Sequence, residues 1–425
     1  MKLAVSLSTT ETSFGRGSAR RLASLCGGHL GRASSDSAGS SGHRGVRESC
    51  SGRRGGAPRD ANYSGPWQAL WVQPVLAPPP TKGHVSVARL ARHWYVACQS
   101  KELRNKPLAR TVLGLPLVLF RDAEGCAQAL LDRCPHRNAP LSLGRVTKAG
   151  QLECAYHGWQ FDGQGQCRSV PGLVEGSLPR ERRCPRVEAR EQEGLVWVFG
   201  ALDEPAQGEP FRIGLDALAD HTVVVREVEA PGSLHATVEN ALDVPHTAFL
   251  HRGLFRGGAR NEIHVHVRRT PHDVEAEYVG EPRPSGLAGR ILAPGGGVIQ
   301  HWDRFFLPSI AQVEYRLGPV THFLVTALCT PVSDFHTRLT AVAAFRTPLP
   351  GRLLRAVLEP VALRIFAQDV RILAKQSENV QRFGGEQYLS TELDFLGPHI
   401  WRLLKQAERG EPGEAVIERE VTFFA

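Results

Sequence analysis

Two short clusters constrain this chain more than anything else in it: Cys134-Pro135-His136 and, after seventeen intervening residues, Cys154-Ala155-Tyr156-His157-Gly158-Trp159. Together they read C-x-H…C-x-x-H, and each loop mixes one cysteine with one histidine. A structural zinc site also uses two of each, but it usually pairs Cys with Cys and His with His at short spacing. A [2Fe–2S] centre with two thiolates on one iron and two imidazoles on the other needs the mixed arrangement. Neutral imidazoles replace anionic sulfur on the outer iron, so such a cluster takes up an electron more readily than an all-cysteine one. The pattern points to iron–sulfur, with zinc as the alternative.

The chain has 425 residues, enough for two or three domains with sizeable cores. No run of eighteen apolar residues occurs, so no membrane span is expected. Two of the nine cysteines are claimed by the cluster loops. Cys26, Cys50, Cys98, Cys126, Cys167, Cys184 and Cys329 are scattered, which suits a reducing, cytoplasmic setting and buried small apolar side chains better than a disulfide framework. The net charge of +8 suggests nucleic acid until it is located. Residues 1–66 carry ten Lys/Arg against four acids, while the rest carries 41 against 39. A basic patch interleaved with aromatics is absent, and nucleic-acid binding is not expected.

Composition divides the chain into a leader, 1–84, a β-rich region, 85–205, a larger region, 206–405, and a tail, 406–425. The leader is rich in Ser, Gly and Arg and ends in Pro78-Pro79-Pro80. It buries too little apolar surface to offset its ordering entropy, so disorder is expected. An organelle transit peptide has the same composition, which gives an alternative location; untranslated upstream sequence is the third reading. From Val85 come short β-runs such as Val112–Phe120 and Gly194–Phe199, with a turn at Asp162-Gly163-Gln164-Gly165. Seven more strands are expected between 222 and 345. A long amphipathic helix then runs from Gly351 to about Arg382, kinked or split at Pro360. The fold class is α+β.

A second group of metal-binding types lies in Glu239-Asn240-Ala241-Leu242-Asp243-Val244-Pro245-His246-Thr247-Ala248-Phe249-Leu250-His251. Two imidazoles and one carboxylate with open positions form the facial triad of non-haem Fe(II) sites that use O₂. On an ideal helix His246 and His251 stand about 140° apart, and a π-type bulge would bring them together. The alternative is two ordinary histidines and a capping Asp. Asp369 is the chosen third ligand: it shares a helix face with Phe366 and Leu373, where an ionised carboxylate is costly unless a cation compensates it. An arginine partner is the other reading of Asp369, and Glu359 and Glu378 are the fallback ligands.

Taken jointly, these motifs resemble the oxygenase (alpha) component of the Rieske non-haem iron oxygenases. The resemblance covers about residues 88–400. It rests on Cys134/His136/Cys154/His157, on Asn240-x₂-Asp243-x₂-His246-x₄-His251, and on Gln368-Asp369-x₂-Ile372-Leu373. It implies an all-β Rieske domain followed by a helix-grip catalytic domain, an antiparallel sheet with a long helix. It also implies a [2Fe–2S] cluster, a mononuclear Fe(II) site and O₂ as co-substrate, with Asp243 bridging a cluster histidine of one subunit to His246 of the next in a head-to-tail homotrimer. Respiratory Rieske proteins carry an extra cysteine in each loop. These loops have none, and with fewer hydrogen bonds to the sulfurs the potential is expected towards the low end of the Rieske range, about −150 mV rather than +300 mV.

No G-x-G-x-x-G follows a strand, so electrons are expected from a separate NAD(P)H-dependent reductase, with or without a ferredoxin. The resemblance leans to the monooxygenase and demethylase branch. The expected activity is hydroxylation, demethylation or desaturation of a hydrophobic ring, aromatic or sterol-like. A Rieske electron carrier without oxygenase chemistry is the alternative, and it would have no use for His246, His251 and Asp369.

Overall fold

The computed structural model describes residues 85–173, 182–251, 262–281, 299–348, 350–413 and 416–424. The expected leader, 1–84, lies outside these residues. The β-rich region holds β1 (Trp94–Gln99), β2 (Leu108–Val112), β3 (Leu115–Arg121), β4 (Ala127–Leu131), β5 (Arg145–Val146), β6 (Leu152–Glu153), β7 (Gln160–Phe161), β8 (Cys167–Ser169), β9 (Arg186–Val187), β10 (Ala189–Gln192) and β11 (Leu195–Phe199). They form three small sheets, ordered β1-β11-β10, β2-β3-β4-β9 and β5-β6-β7-β8. The expected single run from Val112 to Phe120 is a hairpin: Leu113 and Gly114 both turn at positive φ between β2 and β3. Phe120, Leu130, Leu152 and Phe161 bury one core beneath the loops that carry Cys134 and Cys154.

The larger region is built on one eight-stranded antiparallel sheet. Its strands are β12 (Thr222–Ala230), β13 (Glu262–Arg269), β14 (Asp273–Val279), β15 (Ile299–Phe306), β16 (Ile310–Leu317), β17 (Thr321–Ser333), β18 (His336–Arg346) and β19 (Ile417–Phe424), ordered β12-β18-β17-β16-β15-β14-β13-β19. Burial follows the two-residue period of a strand with one covered face. On β13, Ile263, Val265 and Val267 point inward; on β14, Val274, Ala276 and Tyr278 do. On β15 the inward set is Ile299, His301, Asp303 and Phe305, two of them ionisable.

Among the described residues the region also holds four α-helices: α1 (Leu234–Leu242), α2 (Thr247–Leu250), α3 (Gly351–Arg382) and α4 (Gly397–Arg409). Ser233 caps α1 by accepting from the Ala236 N–H. Leu234, Val238 and Leu242 of α1 and Ile400, Leu403 and Leu404 of α4 share one core with the inward residues of β13–β18. The opposite face meets the β-rich region, where Trp94, Trp197 and Phe199 pack on Ile310, Leu328 and Val342. Backbone bonds reinforce that contact, including Leu113 N–H to the Pro331 carbonyl at 2.7 Å.

Two expectations are corrected. Helix α3 is continuous through Pro360 rather than split there. An interior proline costs about 3 kcal/mol in a free helix; Glu359, the preceding residue, is paired with Arg226 of β12. The tail contains β19, which pairs with β13 from Glu262↔Phe424 to Arg269↔Ile417 and buries Phe423. Glu418-Arg419-Glu420 breaks the alternation that would have marked this strand in the sequence.

Candidate metal centres

The two cysteine–histidine loops are closed in the same way. The Cys134 N–H donates to the Ala139 carbonyl, and the Asn138 N–H donates back to the Cys134 carbonyl. In the second loop the Cys154 N–H donates to Trp159 and the Gly158 N–H to Cys154. Asn138 (φ 62°) and Gly158 (φ 68°), each four residues after its cysteine, supply the left-handed residue that reverses the chain. A Cβ on residue 158 would stand 2.9 Å from Pro171 Cγ, so glycine also serves a close approach there.

This places Cys134 and Cys154 inside, as buried free thiols, and the imidazoles outside. The His136 and His157 rings lie 4.5 Å apart, centroid to centroid. Trp159 stacks on His136 at 4.7 Å and 5°. Sequence reasoning gave that indole no part in the site, although the residue was in view. Burial, together with Cys154 beside it, raises the Cys134 thiol to about 11. Such thiols ionise when a metal takes the proton's place. His136 Nδ1 is buried without a hydrogen-bond partner among the described residues, a nitrogen left available to a metal. Two inner sulfurs and two outer imidazoles suit a [2Fe–2S] group, and this donor set fits it.

At the second group, α1 ends at Leu242, and Asp243 adopts extended backbone. A single turn, α2, follows with His246 and His251 at its two ends. The expected π-bulged helix is therefore replaced by a helix break. Only one turn separates the histidines, and His251 leaves it at φ −106°, ψ 38°, which swings its ring back toward His246. Their Nε2 atoms stand 3.2 Å apart.

Asp369 of α3 completes the set from the far side. Its Oδ1 lies 3.1 Å from His251 Nε2 and 3.7 Å from His246 Nε2, and it is buried without a hydrogen-bond partner among the described residues. With metal–ligand bonds of about 2.1 Å, neighbouring donors around one ion stand about 3 Å apart. The three atoms match one face of such a shell, so these residues fit a single metal ion. The remaining ring nitrogens are held as well: His251 Nδ1 lies 2.9 Å from Gln368 Oε1, and His246 Nδ1 contacts the Asp243 carbonyl, with Asp243 Oδ2 at 3.5 Å. Burial works against a His246 cation, but the Asp243 and Asp369 carboxylates outweigh it and raise its pKa to about 9 in the metal-free chain. The fallback carboxylates lie elsewhere: Glu359 pairs with Arg226 and Arg355, and Glu378 with Lys375 at 2.7 Å.

Two hollows adjoin this triad. One, of about 180 Å³, lies between α3 and the sheet; Ala311, Val313, Val325, Ala327 and Phe366 line it, with Asn240 and all three candidate ligands at its wall. The other is a groove of about 1140 Å³ on the outer side, reaching Asn240, Asp243 and His246. Around it Phe249, Ile372, Tyr388 and Leu389 are exposed, the last at 94%. No helix among the described residues is long and apolar enough to cross a membrane.

Two family models match in succession and together cover more than half of the chain. The Rieske [2Fe-2S] domain matches residues 93–184, and the vanillate O-demethylase oxygenase C-terminal domain matches residues 232–410. The chain is 33% identical over 218 residues to the oxygenase component of dicamba O-demethylase from Stenotrophomonas maltophilia, a match covering 49% of this chain and 62% of that one. It is 35% identical over 344 residues to chloroplastic chlorophyllide a oxygenase of Chlamydomonas reinhardtii, covering 76% and 50%. The matches thus span between half and about three fifths of these relatives' own length. In fold it is similar to the crystal structure of dicamba monooxygenase bound to dicamba, at a TM-score of 0.65 and 24% identity over 76% of this chain and 98% of that one.

Proposed function

Because the chain belongs to the Rieske non-haem iron oxygenases, as an oxygenase component, we propose that it is a terminal oxygenase acting on a hydrophobic ring. In this reading Cys134, His136, Cys154 and His157 hold the [2Fe–2S] cluster, and His246, His251 and Asp369 hold the mononuclear iron. When bound, the two groups supply stored electrons and the means to activate O₂. The observation that carries the reading is the placement of two imidazoles and a carboxylate oxygen within reach of one point at the wall of an apolar cavity, in the chain that also bears the cluster loops.

The protein's own residues do the rest. Gln368 and Asp243 fix the two imidazoles so that both Nε2 atoms face the same point. Val313, Val325 and Ala327 exclude water and hold a flat apolar ring against that point. A cavity of about 180 Å³ suits one substituted aromatic ring better than a sterol. Demethylation or hydroxylation of such a ring is the expected monooxygenase outcome.

The exposed groove beside Asp243 and His246 supports a head-to-tail homotrimer. Leu143 and Tyr156 are exposed near the cluster loops, and a neighbour's loops seated in the groove would cover apolar surface on both sides. Asp243 would then bridge a neighbour's cluster histidine to His246, with Asn240 beside it. A separate NAD(P)H-dependent reductase, with or without a ferredoxin, completes the system. The location is cytoplasmic, or within an organelle where residues 1–80 act as a transit peptide; the chloroplastic relative favours the second.

The test is NADH-coupled oxygen uptake with a surrogate reductase across aromatic acids, methoxylated phenols, sterols and quaternary amines. Stoichiometric product from a single-ring aromatic is expected. Reduction of the cluster with no oxygen consumption on any substrate would favour an electron carrier instead.

A further inference from the structure

A second group of buried ionisable side chains shares the sheet face that walls the cavity. His301 of β15 is fully buried; its Nδ1 lies 2.8 Å from Glu281 Oε2 and its Nε2 3.1 Å from Asp303 Oδ1. Tyr278 stacks on one side of the ring at 4.3 Å and Tyr315 on the other at 4.0 Å. With a carboxylate oxygen at each ring nitrogen, both nitrogens carry protons, and the imidazolium sits between two anions and two aromatic faces. Burial opposes that charge, but the Asp303 and Glu281 carboxylates overcome it and raise the pKa to about 9.

The clamp fixes Asp303. One carboxylate oxygen is taken by His301, while Oδ2 is buried and has no hydrogen-bond partner among the described residues. Burial, the Asp303 charge and a side-chain contact with the Asp303 carboxylate push the acidity of the Tyr278 hydroxyl down, although that contact falls short of regular hydrogen-bond geometry. A buried carboxylate oxygen without a donor is costly, and a ligand can supply the donor. Strand register locates it. Asp303 pairs with Val313, and Val313 with Val325, so the three side chains form one row on one face. Both valines line the cavity at His246, His251 and Asp369. Asp303 itself does not line that cavity; its row continues from Val313 one strand beyond the wall, to a fixed acceptor.

We propose that Asp303 is a specificity-determining residue of the ring cavity, its Oδ2 accepting a hydrogen bond from a hydroxyl or N–H borne by the substrate. The proposal rests on the oxygenase reading above and narrows its substrate class to aromatic rings that carry a donor. His301 is a positioning residue: it holds the Asp303 rotamer through its Nε2 contact with Oδ1. An ether oxygen or a carboxylate at the same place would face the Asp303 charge without a proton to offer.

Two probes differing in one donor test this: 2-methoxyphenol and 1,2-dimethoxybenzene. Their dissociation constants are measured by calorimetry on the metal-loaded protein, for wild type, Asp303→Asn, Asp303→Leu and His301→Gln, with iron content and circular dichroism checked in each. The wild type is expected to bind the phenol at least about tenfold more tightly than the diether, as a hydrogen bond to a charged group implies. Asp303→Leu should erase that preference while leaving diether binding in place. Asp303→Asn, which keeps the shape should leucine not be tolerated, should reduce it, and so should His301→Gln. Equal affinities in the wild type, or a preference unchanged in Asp303→Asn, would overturn the proposal alone. If neither ring bound the fully loaded wild type, the cavity reading would fall with it.

Discussion

The four cluster-loop residues sit on two turns closed by the same pair of backbone hydrogen bonds. The three residues of the second group come from the two ends of a one-turn helix and from a helix more than a hundred positions later. The first arrangement is local: each Cys–His pair is positioned by five or six residues and one left-handed residue. The second exists only once α1, α3 and the sheet have packed. The β-rich region can thus hold its donors without the larger region, whereas the triad depends on the whole grip of helix on sheet.

That contrast can be broken most severely at the loops. His157→Ala should abolish the Rieske absorbance and EPR signal, while iron bound at the triad persists. A normal cluster spectrum in this variant would show that the ligand set is misassigned. The next largest effect is expected from Asp243→Asn. Both metals should remain, but single-turnover product formation should slow, because an amide holds the His246 ring less firmly than a carboxylate and cannot pair with a second imidazole in the same way. An unchanged single-turnover rate would mean that the bridge lies elsewhere.

A smaller change is expected from Gln368→Leu. The His251 Nδ1 contact at 2.9 Å disappears, and affinity for Fe(II) should fall by about 10- to 100-fold with the cluster untouched. Equilibrium dialysis with ferrous iron measures this, and wild-type affinity would show that Gln368 orients nothing. The smallest effect concerns pH. His301 has a pKa raised from 6.5 to about 9 in the folded chain, so its contribution to stability is complete below about pH 6.5. It is lost as pH rises through 9. Melting temperatures of wild type and His301→Gln should therefore converge between pH 6.5 and 9.5, and a constant gap would contradict a charged His301.

The same contrast explains what could be read from the sequence. The cluster loops and the strands from Thr222 to Phe345 were legible because both are patterns over a few residues, C-x-H and C-x-x-H in one case and two-residue alternation in the other. His246, His251 and Asp369 were legible as donor types, but not the means of their meeting. A five-residue spacing suggested a π-bulge, whereas the chain breaks the helix at Asp243. Strand β19 was hidden because Glu418, Arg419 and Glu420 are all exposed and only pairing with β13 defines it. The Trp159–His136 stack and the His301–Asp303 row had no local signal at all. A lone histidine in an alternating strand reads as outward-facing until cross-strand register shows Tyr278 and Tyr315 on either side.

The central claim is that one chain carries two separable metal centres, the second built by His246, His251 and Asp369. Iron content and EPR of wild type and Asp369→Ala test it together. The wild type should hold about three iron atoms per chain, two in the cluster and one beside it. Asp369→Ala should hold about two, with the cluster signal intact and oxygen uptake gone. The third iron should survive in Glu359→Ala and Glu378→Ala. A full complement of iron in Asp369→Ala, or its loss in Glu378→Ala, would contradict the account.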